Sequence, residues 1–335
     1  MDLVTGGTGI VGAHVLFERA VAGASVRALH RKGSDRSIVE RIFHHYRPND
    51  TNALLARIDW VEGDLLDTSA LREVMEGVKH VYHAAALVSF DPRDVEALQE
   101  VNVKGTANVV NTALDAGVVR LCHVSSTASI GSAPGAIERD EHLPWARDSD
   151  TSDYAVSKYE AELEVQRGIA EGLDAVIVNP CIVLGPGIHG RSSMPMVDRV
   201  ARGTSFYPPG SNAVVDARDV AACMVALMER GASGERYLVV GENVTYERLF
   251  DLLAKAFGKK PPTRRIAPWM LGIAWRVEGV RALITRSRSL VTRSTAHSAL
   301  ITRAYSNKKA SALLGYTFRT AEDAVANVAS FLKRG

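Results

Sequence analysis

The chain has 335 residues, of which 46% are hydrophobic and 23% are charged. These proportions are those of a globular protein with a sizeable core, and they exclude a largely disordered chain. The net charge of +2 is too balanced to indicate nucleic-acid binding by charge alone. The three cysteines, Cys122, Cys181 and Cys223, form no CxxC pair, so we expect neither a disulfide framework nor a structural zinc site.

The N-terminal segment and the longest uncharged run both bear on localisation. The first residues, Met1 to Thr5, show no basic leader followed by an apolar core, so we expect no signal peptide. The run at 266–275 has about ten uncharged residues before Arg276, roughly half of what a bilayer crossing requires. We therefore expect a cytoplasmic protein without a transmembrane segment.

Short apolar runs alternate with helical patterns as far as residue 180. The apolar runs predict buried strands at 3–4, 25–29, 58–61, 80–83, 118–124 and 175–178. The helical patterns lie between them, at 10–22, 35–47, 69–76, 92–116 and 154–171. This order predicts an α/β fold of the Rossmann type, with a doubly wound parallel sheet and right-handed crossovers.

After Pro180 the sequence becomes rich in turn residues, and later segments are mostly helical. A strand at 214–215, a helix at 219–230 and a strand at 236–240 indicate a return to the first domain. We therefore predict a Rossmann domain of residues 1–179 and 212–242, and a smaller, mostly helical C-terminal domain of residues 180–211 and 243–335. The crevice between them is the expected ligand site.

A glycine-rich segment, Thr5-Gly6-Gly7-Thr8-Gly9-Ile10-Val11-Gly12, follows the first strand and opens the first helix. Gly6 and Gly9 allow the backbone to turn sharply and approach a pyrophosphate, and Gly12 allows close packing of the helix on the strand. The start of the helix supplies N–H donors and a positive dipole. In this context the motif predicts a dinucleotide site.

The end of the second strand indicates which dinucleotide is bound. An acid there would bind the ribose 2′-hydroxyl, but no acid appears before Asp35. Arg31, Lys32 and Ser34 can together hold a 2′-phosphate, which favours NADP(H), with NAD(H) as the alternative. Asp64, after the third strand, either accepts from the adenine amino group or caps a helix.

Two side chains four residues apart, Tyr154 and Lys158, lie on one helix face. The ammonium favours the phenolate and can hold the nicotinamide ribose, so the phenol can exchange a proton with a carbonyl or an alcohol. Tyr305 and Lys309 repeat this spacing far downstream, where core packing is the better interpretation. Hydroxyls at 125–127 end the fifth strand and either bind an oxyanion or serve the turn itself.

Further segments occur in the order of a known family: His83-Ala84-Ala85-Ala86, Val101-Asn102-Val103-Lys104-Gly105-Thr106, and Asn179-Pro180-Cys181-Ile182-Val183-Leu184-Gly185-Pro186-Gly187. Together with the motifs above, they make the chain resemble an extended short-chain dehydrogenase/reductase of the epimerase/dehydratase superfamily. Within it, the sequence is most similar to the dihydroflavonol reductase and 3β-hydroxysteroid dehydrogenase branch. The resemblance covers nearly the whole chain.

The resemblance implies a role for each matching residue. Tyr154 would be the general acid, Lys158 the ribose clamp, Thr127 the hydroxyl that holds the substrate oxygen, and Asn102 a support. The cofactor would contact Gly6, Thr8, Gly9, Ile10, Gly12, Arg31, Lys32, Ser34, Asp64, Leu65, His83, Ala84, Ala85, Lys158, Pro180, Ile182 and Val183. The substrate would face Val88, Ser89, Phe90 and Ser126, besides Thr127 and Tyr154.

The implied reaction is hydride transfer between nicotinamide and a carbonyl or secondary alcohol of a small, hydrophobic substrate. One alternative is a nucleotide-sugar epimerase or dehydratase that retains NAD and binds a diphosphate through Arg191 or Arg218. Another is a cofactor-sensing protein without catalysis, although such proteins usually lose the Tyr/Lys pair. The helices at 92–116 and 154–171 resemble those through which relatives form homodimers. Because helix faces alone do not establish a dimer, the oligomeric state is open.

The remaining polar clusters give weaker signals. His44 and His45 point apart on a helix and Cys122 and His123 alternate across a strand, so we expect no metal. The stretch from Arg264 to Arg303 combines apolar residues with arginines, namely Arg276, Arg281, Arg286, Arg288 and Arg293. It could lie on a membrane surface, but a cap over a hydrophobic pocket or a subunit contact is the preferred interpretation.

Overall fold

The computed structural model describes residues 1–131, 138–148, 151–285 and 292–334. Its strands are β1 Asp2–Thr5, β2 Val26–His30, β3 Ile58–Glu62, β4 His80–His83, β5 Arg120–Val124, β6 Ala175–Pro180, β7 Ile182–Leu184, β8 Phe206–Tyr207, β9 Ser211–Asp216, β10 Arg236–Val239, β11 Glu242–Thr245 and β12 Arg264–Arg265. Seven of them form one parallel sheet in the order β10-β6-β5-β4-β1-β2-β3. This confirms the predicted doubly wound sheet, whose order reverses between β1 and β4.

The helices cover both faces of this sheet. They are α1 Ile10–Val21, α2 Ser37–Tyr46, α3 Thr51–Leu55, α4 Thr68–Met75, α5 Val95–Leu98, α6 Gly105–Asp115, α7 Asp153–Ala170, α8 Met194–Arg202, α9 Ala217–Arg230, α10 Tyr246–Ala256, α11 Pro268–Thr285, α12 Arg293–Ser298, α13 Lys308–Leu314 and α14 Ala321–Arg334. One core cluster joins the sheet to α1, α2 and α9. The other joins it to α4, α6 and α7. Because both faces are covered, strands such as β1 and β6 are buried along their whole length.

The helix predicted at 92–116 consists of several different turns. A 3₁₀ turn at Pro92–Asp94 leads into α5, a π-helical turn follows at Gln99–Lys104, and α6 begins at Gly105. Asp91 caps the 3₁₀ turn by accepting from the N–H of Arg93. The π turn changes which side chains face the sheet, and Asn102 is buried there.

A smaller sheet, in the order β11-β9-β7, lies beside the large one. The strand predicted at 214–215 belongs to β9. β9 does not join the seven-stranded sheet, although the sequence analysis assigned this strand to a segment that returns to the first domain. The reason is that β9 has apolar residues on both faces: Val215 packs in the cluster with α1 and α9, and Val214 packs in a separate cluster with α8, α10 and α14. β10, as predicted, returns to the large sheet beside β6.

The C-terminal part is mostly helical, as expected. Within the described ranges, none of the helices has the length and apolar character needed to cross a bilayer. Arg286 and Arg288 of the basic stretch lie outside the described residues.

Candidate functional site

The glycine loop turns sharply between β1 and α1. Gly6 has a φ of 69°, and a Cβ there would lie 2.7 Å from the Ala85 backbone. A Cβ on Gly12 would lie 2.2 Å from the Gly6 carbonyl oxygen. Gly9, at the N-terminus of α1, has no side chain that could cap the helix. The first N–H groups of the helix can therefore donate to a ligand. The two other loop residues expected to touch the cofactor, Thr8 and Ile10, are half-buried.

The loop after β2 is basic at the position expected to bind the ribose of the cofactor. Arg31 and Lys32 are exposed and Ser34 is half-buried. The Ser34 N–H donates to the Arg31 carbonyl at 3.0 Å, which closes a turn. The first acid, Asp35, accepts from the Ser37 N–H at 2.9 Å. Hydrogen bonds from Ser37 lower the pKa of Asp35, so this carboxylate serves the start of α2.

The loop after β3 separates the two interpretations of Asp64. The cap of α4 is Asp67, whose carboxylate accepts from the N–H of Ser69 at 3.0 Å. Asp64 is exposed and accepts instead from the N–H of Leu66 at 3.0 Å. The helix-cap alternative for Asp64 is therefore wrong, and Asp64 remains a candidate for adenine. Leu65 beside it is buried.

His83 ties the glycine loop to the helix that follows β4. Its Nδ1 lies 2.7 Å from Thr5 Oγ1 and its Nε2 lies 3.0 Å from Thr106 Oγ1. Thr5 Oγ1 also accepts from the Ala85 N–H, so the hydroxyl hydrogen of Thr5 is available to Nδ1 and the ring proton belongs on Nε2. Burial, together with the charge of Lys158, lowers the pKa of His83 to about 3. The imidazole is therefore neutral and fixes the adjoining Ala84–Ala85 backbone.

Tyr154 and Lys158 lie one turn apart on α7, at the carboxyl edge of the sheet. The Tyr154 ring packs edge-on against Phe90 with centroids 5.4 Å apart. Burial raises the pKa of Tyr154, and a hydrogen bond with the Ser126 side chain acts in the opposite direction. Lys158 is 1% exposed, and its Nζ donates to the Val124 carbonyl at 2.8 Å. Burial lowers the pKa of Lys158 to about 8.

The hydroxyls that follow β5 face two different tyrosines. The Ser126 side chain acts to lower the pKa of Tyr154, and Ser126 Oγ accepts from the Ala128 N–H at 3.1 Å. Thr127 is 7% exposed and begins a 3₁₀ turn. Burial raises the pKa of Tyr305, and the Thr127 side chain acts in the opposite direction. Tyr305 is 4% exposed and is a core residue, as its position suggested.

A buried carboxylate that the sequence analysis did not single out, Glu162, joins this turn to α7. One carboxylate oxygen, Oε1, lies 2.5 Å from Ser129 Oγ and 2.5 Å from Asn179 Nδ2, which both donate to it. The other oxygen is 3.5 Å from the Arg236 guanidinium. Glu162 also raises the pKa of Lys158, against the effect of burial. The signal in the sequence was the continued spacing of four residues from Tyr154 through Lys158.

Asn102 holds the loop that follows β4. Its Oδ1 accepts from the Leu87 N–H at 2.7 Å, and its Nδ2 donates to the Leu87 carbonyl and to Ser157 Oγ, both at 3.0 Å. The side chain is 1% exposed. It is therefore a buried bridge between this loop and α7.

The residues that follow Leu87 form part of a cavity near Tyr154. Val88 and Phe90 are 41% and 42% exposed, which is unusual for large apolar side chains. Ser89, in contrast, is buried and donates to Asp94 Oδ2 at 2.6 Å, so its hydroxyl serves the loop. A cavity of about 160 Å³ lies here, lined by Ser89, Phe90, Asp91, Pro92, Leu98, Thr151, Ser152, Asp153, Thr292, Arg293 and Ser294.

The end of β6 approaches the glycine loop through the next turn. Pro180 and Val183 are buried, and Ile182 is half-buried. A Cβ on Gly187 would lie 3.6 Å from Ile10 Cδ1 at the start of α1. The structure therefore brings the glycine loop, the candidate nicotinamide residues and the Tyr154 face to one edge of the sheet.

Comparison with known proteins gives consistent results. The model of the NAD dependent epimerase/dehydratase family matches residues 3–241. Sterol demethylase protein B of Methylococcus capsulatus is 33% identical over 278 residues, 81% of this chain and 79% of that protein. A putative dihydroflavonol 4-reductase of Synechocystis sp. is 34% identical over 295 residues, 86% of this chain and 81% of that protein. The crystal structure of gox2253 is 32% identical, covers 100% of this chain and 98% of its own, and has a TM-score of 0.81.

Proposed function

Since the chain belongs to the NAD-dependent epimerase/dehydratase family, within the extended short-chain dehydrogenases/reductases, and is thus an NAD(P)-dependent enzyme, we propose that it reduces a small, hydrophobic ketone or aldehyde with NADPH. The observation that carries this proposal is the grouping of the Tyr154 phenol, the Ser126 hydroxyl and the buried Lys158 ammonium at one sheet edge. This grouping can protonate a carbonyl oxygen.

The glycine loop fits a dinucleotide pyrophosphate. A Cβ at Gly6 or Gly12 would clash with neighbouring backbone, so glycine is required for this turn, and the start of α1 presents N–H groups. Arg31, Lys32 and Ser34 would hold the 2′-phosphate that distinguishes NADP(H). When bound, the cofactor supplies a hydride at nicotinamide C4.

The proton is handled by this chain's own residues. Tyr154 Oη gives its proton to the substrate oxygen, which the hydroxyl of Ser126 holds by a hydrogen bond, with Thr127 beside it. Lys158 carries a positive charge at neutral pH, because its pKa is about 8. That charge stabilises the phenolate left on Tyr154. Asn102 keeps the loop carrying Phe90 against this face.

Two observations support a hydrophobic substrate. Val88 and Phe90 expose apolar surface beside Tyr154. The names of two relatives refer to a sterol and a dihydroflavonol, both of which are ring compounds with oxygen on ring carbons. We therefore propose an apolar cyclic ketone as the first substrate class to examine.

The first experiment is a parallel fluorescence titration of the purified protein with NADPH and NADH, after analysis for retained nucleotide. We expect an empty site as purified and tighter binding of NADPH. The double variant Arg31→Ala/Lys32→Ala should lose at least tenfold in NADPH affinity and little in NADH affinity, while the control Arg72→Ala, exposed on α4, should change neither. Equal losses for both nucleotides would refute the assignment of the 2′-phosphate site.

The reaction itself is tested with a panel of hydrophobic ketones and aldehydes. Tyr154→Phe should lower turnover by about 10² to 10⁴, the usual contribution of positioned acid–base catalysis. Tyr159→Phe on the same helix is the matched control. Near-normal turnover in Tyr154→Phe would exclude this mechanism.

The two alternatives predict different outcomes. Tightly retained NAD, with binding of a nucleotide sugar, would overturn the reductase in favour of an epimerase or dehydratase. Of the two arginines considered for a diphosphate, Arg218 donates to buried Asp216 at 2.9 and 2.6 Å, so it is already engaged. Binding of NADPH without turnover of any carbonyl compound would favour a cofactor-sensing protein.

A further inference from the structure

One face of α11 exposes a row of large apolar side chains. Trp269, Ile273, Val277 and Ile284 are 68%, 52%, 63% and 76% exposed. At 100° per residue, their spacings of four, four and seven place them within a sector of about 80°. They therefore form one continuous stripe along the helix, which we call the α11 stripe.

The α11 stripe is not the face that attaches the helix to the protein. Leu271 and Ala282 are 8% and 4% exposed, and their positions lie about 170° around the helix from the middle of the stripe. The helix packs against α12. The helix thus has two apolar faces, of which one is packed and the other is exposed.

Positive charge surrounds the stripe. Arg276 and Arg281 fall at its two edges on the helix, and Arg264 and Arg265 are exposed just before the helix begins. Residues 264–303 contain eight arginines and one acid, Glu278, which pairs with Arg281. This stretch carries +7, so the other 295 residues together carry −5. An anionic surface would therefore attract this segment of the chain and repel the remainder.

We propose that the α11 stripe docks on an anionic phospholipid membrane, with the helix lying in the plane of the interface. Apolar side chains with a tryptophan at one end and arginines along both edges match the headgroup boundary, where the arginines reach the phosphates. A second copy of this chain fits the α11 stripe less well than a membrane does. A two-fold contact through the stripe would bring the same arginines of both copies together with few acids to pair them.

The docked face is linked to the cavity described above. α11 packs against α12, and Thr292 to Ser294 at the start of α12 line the cavity beside Phe90. A hydrophobic substrate dissolved in the membrane would then lie near the cavity. This link rests on the proposed function, whereas the docking itself does not.

The test is co-sedimentation of the full-length protein with phosphatidylcholine vesicles, with and without 30 mol% phosphatidylglycerol, at low and high salt. We expect binding to the anionic vesicles that weakens as salt rises. The variant Trp269→Ser/Ile273→Ser/Val277→Ser should bind at least tenfold more weakly. The control variant Val119→Ser/Leu163→Ser removes apolar groups that are 57% and 48% exposed elsewhere, and it should bind like the wild type.

A second variant tests the charges. Arg276→Gln/Arg281→Gln should weaken binding to anionic vesicles by about fivefold per arginine, the equivalent of about 1 kcal/mol each. All variants should retain the melting temperature and NADPH affinity of the wild type, so a failure of docking is distinct from a failure of the proposed function.

Three results would overturn the proposal. The first is that the wild type shows no preference for anionic vesicles. The second is that the stripe variant and the wild type bind these vesicles equally. The third is that the wild type does not bind vesicles but forms a dimer in light scattering, and that the stripe variant does not form this dimer. The last result would instead identify the stripe as a contact between copies.

Discussion

His123 offers a direct test of the buried polar layer beneath the site. It lies in β5, is 0% exposed, and neither ring nitrogen has a hydrogen-bond partner among the residues that the structure describes. Its ring centroid is 5.1 Å from that of His83. Burial, with the nearby charge of Lys158, lowers the pKa of His123 well below its usual value. The ring therefore stays neutral in the folded protein, while in the unfolded chain it titrates near 6.5.

This difference gives the sign of the pH effect. Because the folded pKa is depressed, the stability is present above about pH 6.5 and is lost as the pH falls. At pH 5, about 1.5 pH units below the unfolded pKa, protonation of the unfolded chain costs the folded state about 2 kcal/mol. His123→Leu removes that loss. It also removes two unpartnered buried nitrogens, which should stabilise the protein by about 1–3 kcal/mol at pH 7.5.

The assay is urea unfolding at pH 7.5 and pH 5.0 for the wild type, His123→Leu and a control, His44→Gln, at an exposed position of α2. The drop in unfolding free energy between the two pH values should be about 2 kcal/mol smaller in His123→Leu than in the other two proteins. An equal drop in all three would refute the reasoning, as would a variant less stable than the wild type at pH 7.5.

Three further predictions concern buried charges and close contacts. Glu162→Gln removes a negative charge that raises the pKa of Lys158, so the pH at which activity falls on the alkaline side should move down in a pH–rate profile. Gly12→Ala should abolish NADPH binding in a fluorescence titration, because the added Cβ would lie 2.2 Å from the Gly6 carbonyl oxygen. Asp219 is 0% exposed and accepts from the Tyr316 hydroxyl at 2.8 Å, so Asp219→Ala should lower the unfolding free energy in urea by about 3–5 kcal/mol.

Most of the fold was predictable from local patterns in the sequence. Apolar runs predicted the strands of the seven-stranded sheet, because a parallel strand covered on both faces must be apolar along its length. The glycine loop was predictable because its motif follows a strand and opens a helix, and because the close approach at Gly12 is to backbone within the motif, whereas the backbone that Gly6 approaches, at Ala85, is distant in sequence. The sheet to which β9 belongs was not predictable from the sequence, because a strand with two apolar faces fits either sheet.

The site was predictable in its residue types but not in its pairings. The spacing of Tyr154 and Lys158 follows from helix geometry, whereas the hydroxyl that meets Tyr154 depends on how the turn after β5 is held. Here the side chain of Tyr305, distant in sequence, interacts with Thr127, whereas Ser126 interacts with the phenol of Tyr154. Contacts between residues so far apart leave no signal in a single sequence.

The buried groups at the strand ends connect the stability of the fold to the geometry of the site. A neutral His83 accepts from Thr5 and donates to Thr106, and this arrangement fixes the backbone against which Gly6 turns. Protonation would place a donor opposite the Thr5 hydroxyl and a second cation near Lys158, so one of these contacts would have to break. Burial and the charge of Lys158 lower the pKa of both imidazoles, His83 and His123, so both stay uncharged beside the buried ammonium. We therefore expect acid to act on the glycine loop through His83.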